Sequence, residues 1–259
     1  MTAASRAAVA ERLERTSLLE RLRRSLSPWR LAVAVSALLL LAVAAAAAVS
    51  WAVTSGTRST SYIAAAEVLR VELDVGDGSV VVHGGGQEEV AVRRTDHFAF
   101  GHSPSEWRTL DSGVLRITAT CPSLVVGSCA SDYDVTVSDN VPVAVRVEHG
   151  NVRLVGYRGS ADLETRGGSV AVDGFCGFVL QAATRQGSID VRTACSAERM
   201  ELRADSGDVT AAVPAGRYRM DVATNGGRSD VRGVVAADDA PWSIQALSNT
   251  GNVTVVGDR

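Results

Sequence analysis

Hydrophobic and polar residues alternate over most of the chain in one recurring register, and each copy of that register is centred on a glycine. Apolar or small residues lie seven, five and three positions before the glycine and two and four positions after it. Around Gly168 these are Ala161, Leu163, Thr165, Val170 and Val172. A period of two residues is typical of a β-strand with one buried face, and a glycine that interrupts it is typical of a corner. Each copy therefore predicts two short strands around a bend.

The register occurs in seven copies, whose central residues are Gly78, Gly150, Gly168, Gly187, Gly207, Gly227 and Gly251. From Gly150 onward the centres are 18, 19, 20, 20 and 24 residues apart, a period typical of stacked supersecondary units. The copy at Gly227 departs from the pattern, because NGGRSD at 225–230 puts Ser229 at a core position. We expect that copy to be loose or shifted.

A long insert separates the first two copies, since Gly78 and Gly150 are 72 residues apart. Its sequence contains three strand-like runs, at Val90–Arg93, Val114–Thr118 and Asp134–Val137. The insert therefore predicts further β-structure that does not follow the register.

Two architectures fit the copies, and two cysteines favour one of them. In a solenoid, equivalent residues of consecutive copies lie on adjacent strands, whereas in an antiparallel meander they lie two strands apart. Cys176 and Cys195 each follow their central glycine by eight residues. Adjacent strands are about 4.8 Å apart, within the roughly 4.4–6.8 Å Cα separation that a disulfide spans. We therefore expect an all-β solenoid with about 20 residues per coil, with the meander as the alternative.

The other two cysteines, Cys121 and Cys129, enclose a small loop in the insert. Four cysteines allow three pairings, and spacing favours Cys121–Cys129 beside Cys176–Cys195. Such bonds fit an extracytoplasmic location. A zinc site is a poor interpretation, because a spacing of eight residues is wide and no histidine accompanies the pair.

A segment of 23 uncharged residues, 31–53, precedes the β-region. It is long enough to cross a hydrocarbon core of about 30 Å as a helix, and Trp29 and Trp51 lie at its two ends, as interfacial indoles do. Four arginines lie just before it and only Arg58 lies near its other end. This asymmetry predicts that the N-terminus is cytoplasmic and that the chain after the segment is extracytoplasmic. A cleaved signal peptide is the alternative, although the apolar core is longer than usual.

The predicted organisation has four parts. Residues 1–30 form a cytoplasmic basic amphipathic segment, 31–53 the transmembrane helix, 54–66 a linker and 67–257 the extracytoplasmic β-domain. Within the first part, residues 5–27 predict a helix that ends at Pro28. Such a helix can rest on anionic lipid, or it can be a solvated or partner-binding helix.

Charge argues against nucleic acid as a partner. All 26 basic residues are Arg. Residues 1–30 contain seven of them and three Glu, a net charge of +4. Residues 54–259 carry 19 Arg against 26 Asp and Glu, a net charge of −7. Binding to phosphate needs clustered positive charge, which an acidic external domain does not offer.

The repeated runs resemble the bacterial putative-adhesin family, over about residues 67–257. The runs that carry the resemblance are GNVRLVG at 150–156, TRGGSVAVDG at 165–174, TRQGSIDV at 184–191, DSGDVTAAVP at 205–214 and NTGNVTVVG at 249–257. The run CPSLVVGSCASDYDVTV at 121–137 is similar to the segment before the repeats in actinobacterial members. The resemblance implies an envelope-associated, β-solenoid-like domain with no agreed ligand, cofactor or catalytic residue.

Candidate sites for chemistry are few. His97 and His102 are five residues apart, but one pair does not make a metal site. HGGGQ at 83–87 lacks the lysine of a phosphate loop and is interpreted as a turn. Asp205 and Asp208 flank a corner glycine, and we interpret DSGD as a turn rather than as a calcium site or a glycosidase pair.

The sequence therefore predicts no enzyme, no cofactor and no bound metal. The expected function is a single-pass, membrane-anchored interaction or structural module that contacts envelope polymer or another protein. The first alternative is an envelope sensor that signals through its cytoplasmic helix. The second is a polysaccharide-active β-helix enzyme, which the scattered carboxylates do not favour.

Overall fold

The computed structural model describes residues 28–64, 67–85, 89–100, 102–122 and 128–258. The chain divides into two units, Met1–Thr54 and Ser55–Arg259. The helix expected over 5–27 lies outside the described residues.

The first unit contains one described helix, α1 (Pro28–Thr54). Its residues Trp29–Thr54 have a mean hydropathy of 2.6, and none of the apolar window is buried. The hydroxyl groups of Ser36 and Thr54 donate hydrogen bonds to the carbonyl oxygens of Ala32 and Ser50 at 2.8 and 2.6 Å. The helix is therefore long and apolar enough to cross a membrane, and two of its polar side chains hydrogen-bond within the helix.

The second unit is built from β-strands. They are β1 (Gly56–Ala64), β2 (Arg70–Asp77), β3 (Val80–His83), β4 (Val90–Phe98), β5 (Ser105–Asp111), β6 (Val114–Thr120), β7 (Cys129–Thr136), β8 (Val143–His149), β9 (Val152–Val155), β10 (Ala161–Gly167), β11 (Val170–Phe175), β12 (Val179–Gln186), β13 (Ile189–Thr193), β14 (Arg199–Ser206), β15 (Val209–Pro214), β16 (Arg217–Thr224), β17 (Ser229–Arg232), β18 (Val235–Ala236), β19 (Ser243–Ser248) and β20 (Val253–Asp258). Strand β1 falls inside the range 54–66, for which we expected a linker.

The strands form two ten-stranded sheets. Sheet 1 has the order β1-β4-β7-β3-β9-β11-β13-β15-β20-β17, and sheet 2 has the order β18-β16-β19-β14-β12-β10-β8-β2-β6-β5. Pairing is parallel except where β4 pairs with β1 and β7 and where β5 pairs with β6. Each glycine-centred unit contributes one strand to each sheet, so its glycine lies at the turn from sheet 2 to sheet 1.

Equivalent residues of neighbouring units are Cα partners. Leu163 pairs with Ala182, and Val172 pairs with Val191. The antiparallel meander is therefore wrong for these units. Both expected disulfides are present, with Cα–Cα distances of 6.0 Å for Cys121–Cys129 and 4.9 Å for Cys176–Cys195.

The spatial order of the units differs from their order in the sequence. Strands β19 and β20, which belong to the Gly251 unit, lie between β14/β15 and β16/β17. The Gly227 unit, expected to be loose or shifted, thus supplies the edge strand of sheet 1, and in sheet 2 only β18 lies beyond it. Its composition agrees with that place: Val253 is fully buried at the position where the Gly227 unit has Ser229, which is exposed.

Inward-facing side chains of both sheets form one core. Its centre consists of small branched residues, and Leu73, Leu154, Leu163 and Leu202 are at most 2% exposed. Each buried side chain of this kind contributes about 1.5–3 kcal/mol, so the alternating register itself supplies the main stabilisation.

The central glycines lie in a column with no room for a side chain. A Cβ atom at Gly187 would lie 2.0 Å from the carbonyl oxygen of Gly168, and one at Gly168 would lie 2.0 Å from that of Gly150. The same contact recurs from Gly78 to Gly227. Glycine is required here mainly because neighbouring backbones touch.

The hydroxyl groups three positions before these glycines bind the same column. Thr165, Thr184 and Ser248 are at most 5% exposed. Their hydroxyls donate to the carbonyl oxygens of Gly150, Gly168 and Gly207 at 2.9, 2.8 and 2.8 Å. Polar residues are therefore tolerated at this buried position because each has a fixed backbone acceptor.

The residue after each glycine forms a second set of bonds, which we call the corner ladder. In each step a side-chain oxygen accepts a hydrogen bond from the corresponding backbone N–H of the next unit, over 2.7–3.4 Å. The ladder runs through Asp132, Ser79, Asn151, Ser169, Ser188, Asp208, Asn252 and Arg228. It satisfies donors at a corner where sheet pairing is interrupted.

Replacement of Gly187 by alanine should add a steric clash to backbone strain. We expect Gly187→Ala to cost about 3 kcal/mol or more, because overpacking and an unfavourable φ of 148° act together. The control is Gly156→Ala, where φ is 61° but no atom lies within 4 Å of the added Cβ. That variant should cost only about 1–2 kcal/mol. Denaturant unfolding of the full chain measures both values, and equal losses would contradict the steric explanation.

Candidate functional site

The insert places a cluster of charged and phenolic side chains between the edges of the two sheets. This ionic cluster consists of Arg94 and Asp96 on β4, Glu106 on β5, and Ser131 and Tyr133 on β7. The Arg94 guanidinium lies 2.6 Å from Asp96 and 3.3 Å from Glu106. All three charged side chains are at most 12% exposed. Alternation along β4 continues inward from Val92 to these residues, so the strand period itself directs the charges into the interior.

Hydroxyl donors complete the cluster. Ser131 donates to Asp96 at 2.7 Å, and Tyr133 donates to Glu106 at 2.7 Å. Arg94 also donates to the carbonyl oxygen of Pro104 at 2.9 Å. Burial, with the hydrogen bond and charge of Glu106, raises the pKa of Tyr133 well above its usual value. The phenol therefore remains a donor at physiological pH.

Tyr62 and Arg108 cover the cluster at the sheet edges. The guanidinium of Arg108 lies 3.9 Å from the centre of the Tyr62 ring, and it is 2.8 Å from Glu106. Burial, with the charge of Glu106, raises the pKa of Tyr62 to about 12. The two arginines balance the two carboxylates, so the arrangement closes the core at this end and holds the sheets together.

A depression of about 530 Å³ lies on sheet 1 near these strands. It is lined by Ser61, Tyr62, Ile63, Ala91, Val92, Arg93, Asp134 and Thr136. Ile63 is 58% exposed, and Arg93 has no ion-pair partner among the described residues. This surface is suited to a partly apolar segment.

The outer face of sheet 2 carries a polar groove along β19. Two adjacent depressions, of about 230 and 350 Å³, follow this strand and its neighbours β14 and β16. Gln245 at its centre accepts a hydrogen bond from Arg203 at 2.7 Å and donates one to Asp221 at 2.8 Å. We call this surface the β19 groove; its lining includes Arg199, Glu201, Arg203, Asp205, Arg219, Asp221, Ser243, Gln245 and Asn249.

The residue types of the β19 groove define what it can bind. Its central strand presents the uncharged residues Ser243, Gln245, Leu247 and Asn249, and arginines and carboxylates lie on both flanking strands. Amide, guanidinium and carboxylate groups together offer donors and acceptors in parallel rows about 4.8 Å apart. Such rows are suited to an extended polar chain.

The structure places the histidines and the DSGD motif separately. His83, His97 and His149 lie 3.6, 3.0 and 3.3 Å from Asp134, Asp132 and Asp77. Within the described parts of the chain, no group of three or more His, Cys, Asp or Glu side chains could hold a metal ion. Asp208 is an acceptor of the corner ladder, which accounts for one carboxylate of DSGD. Residues 86 and 87 of the glycine-rich HGGGQ run lie outside the described residues.

Arg94 and its neighbour Arg93 offer a matched test of the ionic cluster. We expect Arg94→Met to lower the free energy of unfolding by about 3–5 kcal/mol, because it leaves the buried Asp96 carboxylate without a counter-charge and Glu106 with Arg108 alone. Arg93→Met, on the opposite face of the same strand, should change it by no more than about 0.5 kcal/mol. Chemical unfolding of both variants measures the difference, and a small effect of Arg94→Met would show that the cluster is not a closing contact.

Comparison with known proteins relates the fold to solved structures. No family model matches the chain, and no curated protein matches it. A "putative cell adhesion protein" from Clostridium sporogenes is similar in fold, with a TM-score of 0.51 and 9% identity over 78% of this chain and 100% of that one. A "putative adhesin" from Bacteroides fragilis has a TM-score of 0.43 and 8% identity over 78% and 97% of the two chains. The second unit of the chain, Ser55–Arg259, therefore shares the fold of the Clostridium protein.

Proposed function

We propose that this protein is a membrane-anchored interaction module of the cell envelope, adhesin-like in its role, whose external domain binds rather than transforms its partner. The observation that carries the proposal is the pairing of an exposed apolar helix with a disulfide-bonded β-domain directly after it. Helix α1 supplies the anchor through lipid contacts. Disulfides persist in oxidising compartments, which supports an external location for the β-domain.

The topology follows from arginine placement. Arg21, Arg23, Arg24 and Arg30 come before or at the start of the apolar segment, and Arg58 follows it. Positive residues are retained on the cytoplasmic side, so the N-terminus is inside and residues after 55 are outside.

The external domain is proposed to be a β-solenoid of glycine-centred repeats. Three features support this proposal: the parallel register of equivalent residues, the glycine column and the corner ladder. A solenoid contacts itself only through neighbouring units and therefore offers long, rigid, regular faces. A rigid face is suited to binding because little conformational entropy is lost on association.

The β19 groove is the proposed binding site, and its partner is a polar envelope polymer. The support is chemical: hydrogen-bonding side chains from three neighbouring strands line the groove. Arginine is common among residues that dominate binding energy. The Clostridium protein with a similar fold carries the name "putative cell adhesion protein", which agrees with a binding role.

Loss of the central groove side chains should weaken binding to isolated cell-wall sacculi that retain their attached polysaccharide. We expect R203A/Q245A to reduce the affinity of the detergent-solubilised full chain at least tenfold, about 1.4 kcal/mol. The control is T210A/T254A, a Cα-paired couple on the outer face of sheet 1. If both double variants bind as the unchanged protein does, the groove is not the site.

Cysteine labelling tests the topology. We expect a membrane-impermeant maleimide to label W107C in intact cells, because Trp107 is 72% exposed in the β-domain. S17C should react only after permeabilisation. The opposite pattern would reverse the orientation, and release of the labelled domain into the medium would favour a cleaved signal sequence over an anchor.

A further inference from the structure

The glycine-centred unit at one end of the sheets has an incompletely covered interior. Val231 of β17 is 42% exposed, although its Cα partner Val255 is fully buried. The equivalent residues in the other units are at most 1% exposed; they are Val82, Leu154, Val172, Val191, Ala211 and Val255. Met220 and Val222 of β16 are likewise only partly buried. We call this surface, formed by β16, β17 and β18, the open end.

The opposite end of the sheets is closed. Strands β1 and β5 are the edges there, and the ionic cluster with Tyr62 and Arg108 fills the space between them. An open end therefore cannot continue into the closed end of a second copy in the way that neighbouring units continue into each other. Head-to-tail growth is blocked, and a twofold contact between two open ends is the arrangement that closes.

We propose that two copies of this chain associate through their open ends, with β17 of one copy antiparallel to β17 of the other. The pairing is centred on Val231 and covers the exposed interior of each copy with that of its partner. The occupant is a second copy because its surface has the required chemistry: an edge strand in each sheet and an apolar interior between them. This inference goes beyond the proposed function, since it needs neither the β19 groove nor a polymer.

Charge complementarity supports the register. In an antiparallel pair centred on Val231, Asp230 lies opposite Arg232 of the other copy, and the reciprocal pair forms by symmetry. Both side chains lie on the outer face of the sheet, where within one copy they form an ion pair. A displacement by two residues would lose both intermolecular pairs, so the sequence of β17 favours one register.

Cysteine crosslinking tests the contact in the membrane-embedded full chain. In the proposed dimer the two Val231 Cα atoms are about 4.5–5.5 Å apart, within disulfide range. Oxidation of V231C should therefore give a dimer on a non-reducing gel. The control is L110C on β5 at the closed end, because Leu110 is 43% exposed and thus as accessible as Val231. Equal yields from the two variants would overturn the proposal.

Charge reversal in separate copies distinguishes association from folding. D230R and R232D each break the ion pair within a copy and place like charges opposite each other in the homodimer. Each reversal, combined with V231C, should reduce crosslinking at least tenfold. Co-expression of the two, with different tags, should restore a mixed dimer, since the opposed charges are then complementary between copies. Failure to recover the mixed dimer overturns the proposed register, and its recovery cannot come from repair within one copy.

Discussion

The close approach of backbones at the glycine column is the constraint on which the β-domain depends. A carbonyl oxygen occupies the place where a Cβ of the next unit would be, so the spacing of the units at the corner is fixed by van der Waals contact rather than by side-chain packing. Everything else at the corner follows from that contact. The Thr and Ser hydroxyls reach the same carbonyls, and the corner ladder takes up N–H groups that turn away from the sheets.

The two ends of the sheets solve the edge problem in different ways. At the insert, antiparallel strands and paired charges close the core, at the cost of desolvating the charged groups. At the other end, the unit with the weakest interior residues is outermost, and its edge strands are short. The middle units, which follow the glycine-centred register, thus determine how the strands pair. The strands at both ends of the sheets depart from that register. This division agrees with the general need of repeat-like folds for distinct terminal units.

Period-two alternation predicted the strands well because burial of one face is a local property. Leu163 and Val172 are core residues for the reason their spacing indicates, and the position of Cys176 and Cys195 correctly distinguished parallel from antiparallel pairing. The sequence did not indicate the ionic cluster, although the alternation continues through Val92, Arg94 and Asp96. Charged residues are not expected at buried positions unless residues that neutralise them can be identified. Those partners come from β5 and β7 and are non-local. The position of the Gly251 unit could not be predicted from local sequence either. It depends on whether the Gly227 unit or the Gly251 unit packs better beside β14.

The insertion of β19 and β20 between earlier strands has a consequence for how the chain is assembled. A polypeptide that emerges N-terminus first presents β16 before β19 exists, and β16 has the same glycine-centred register as the strand that belongs beside β14. The native order therefore requires that β16 leave this edge of β14 free, so that residues 243–258 can pair there.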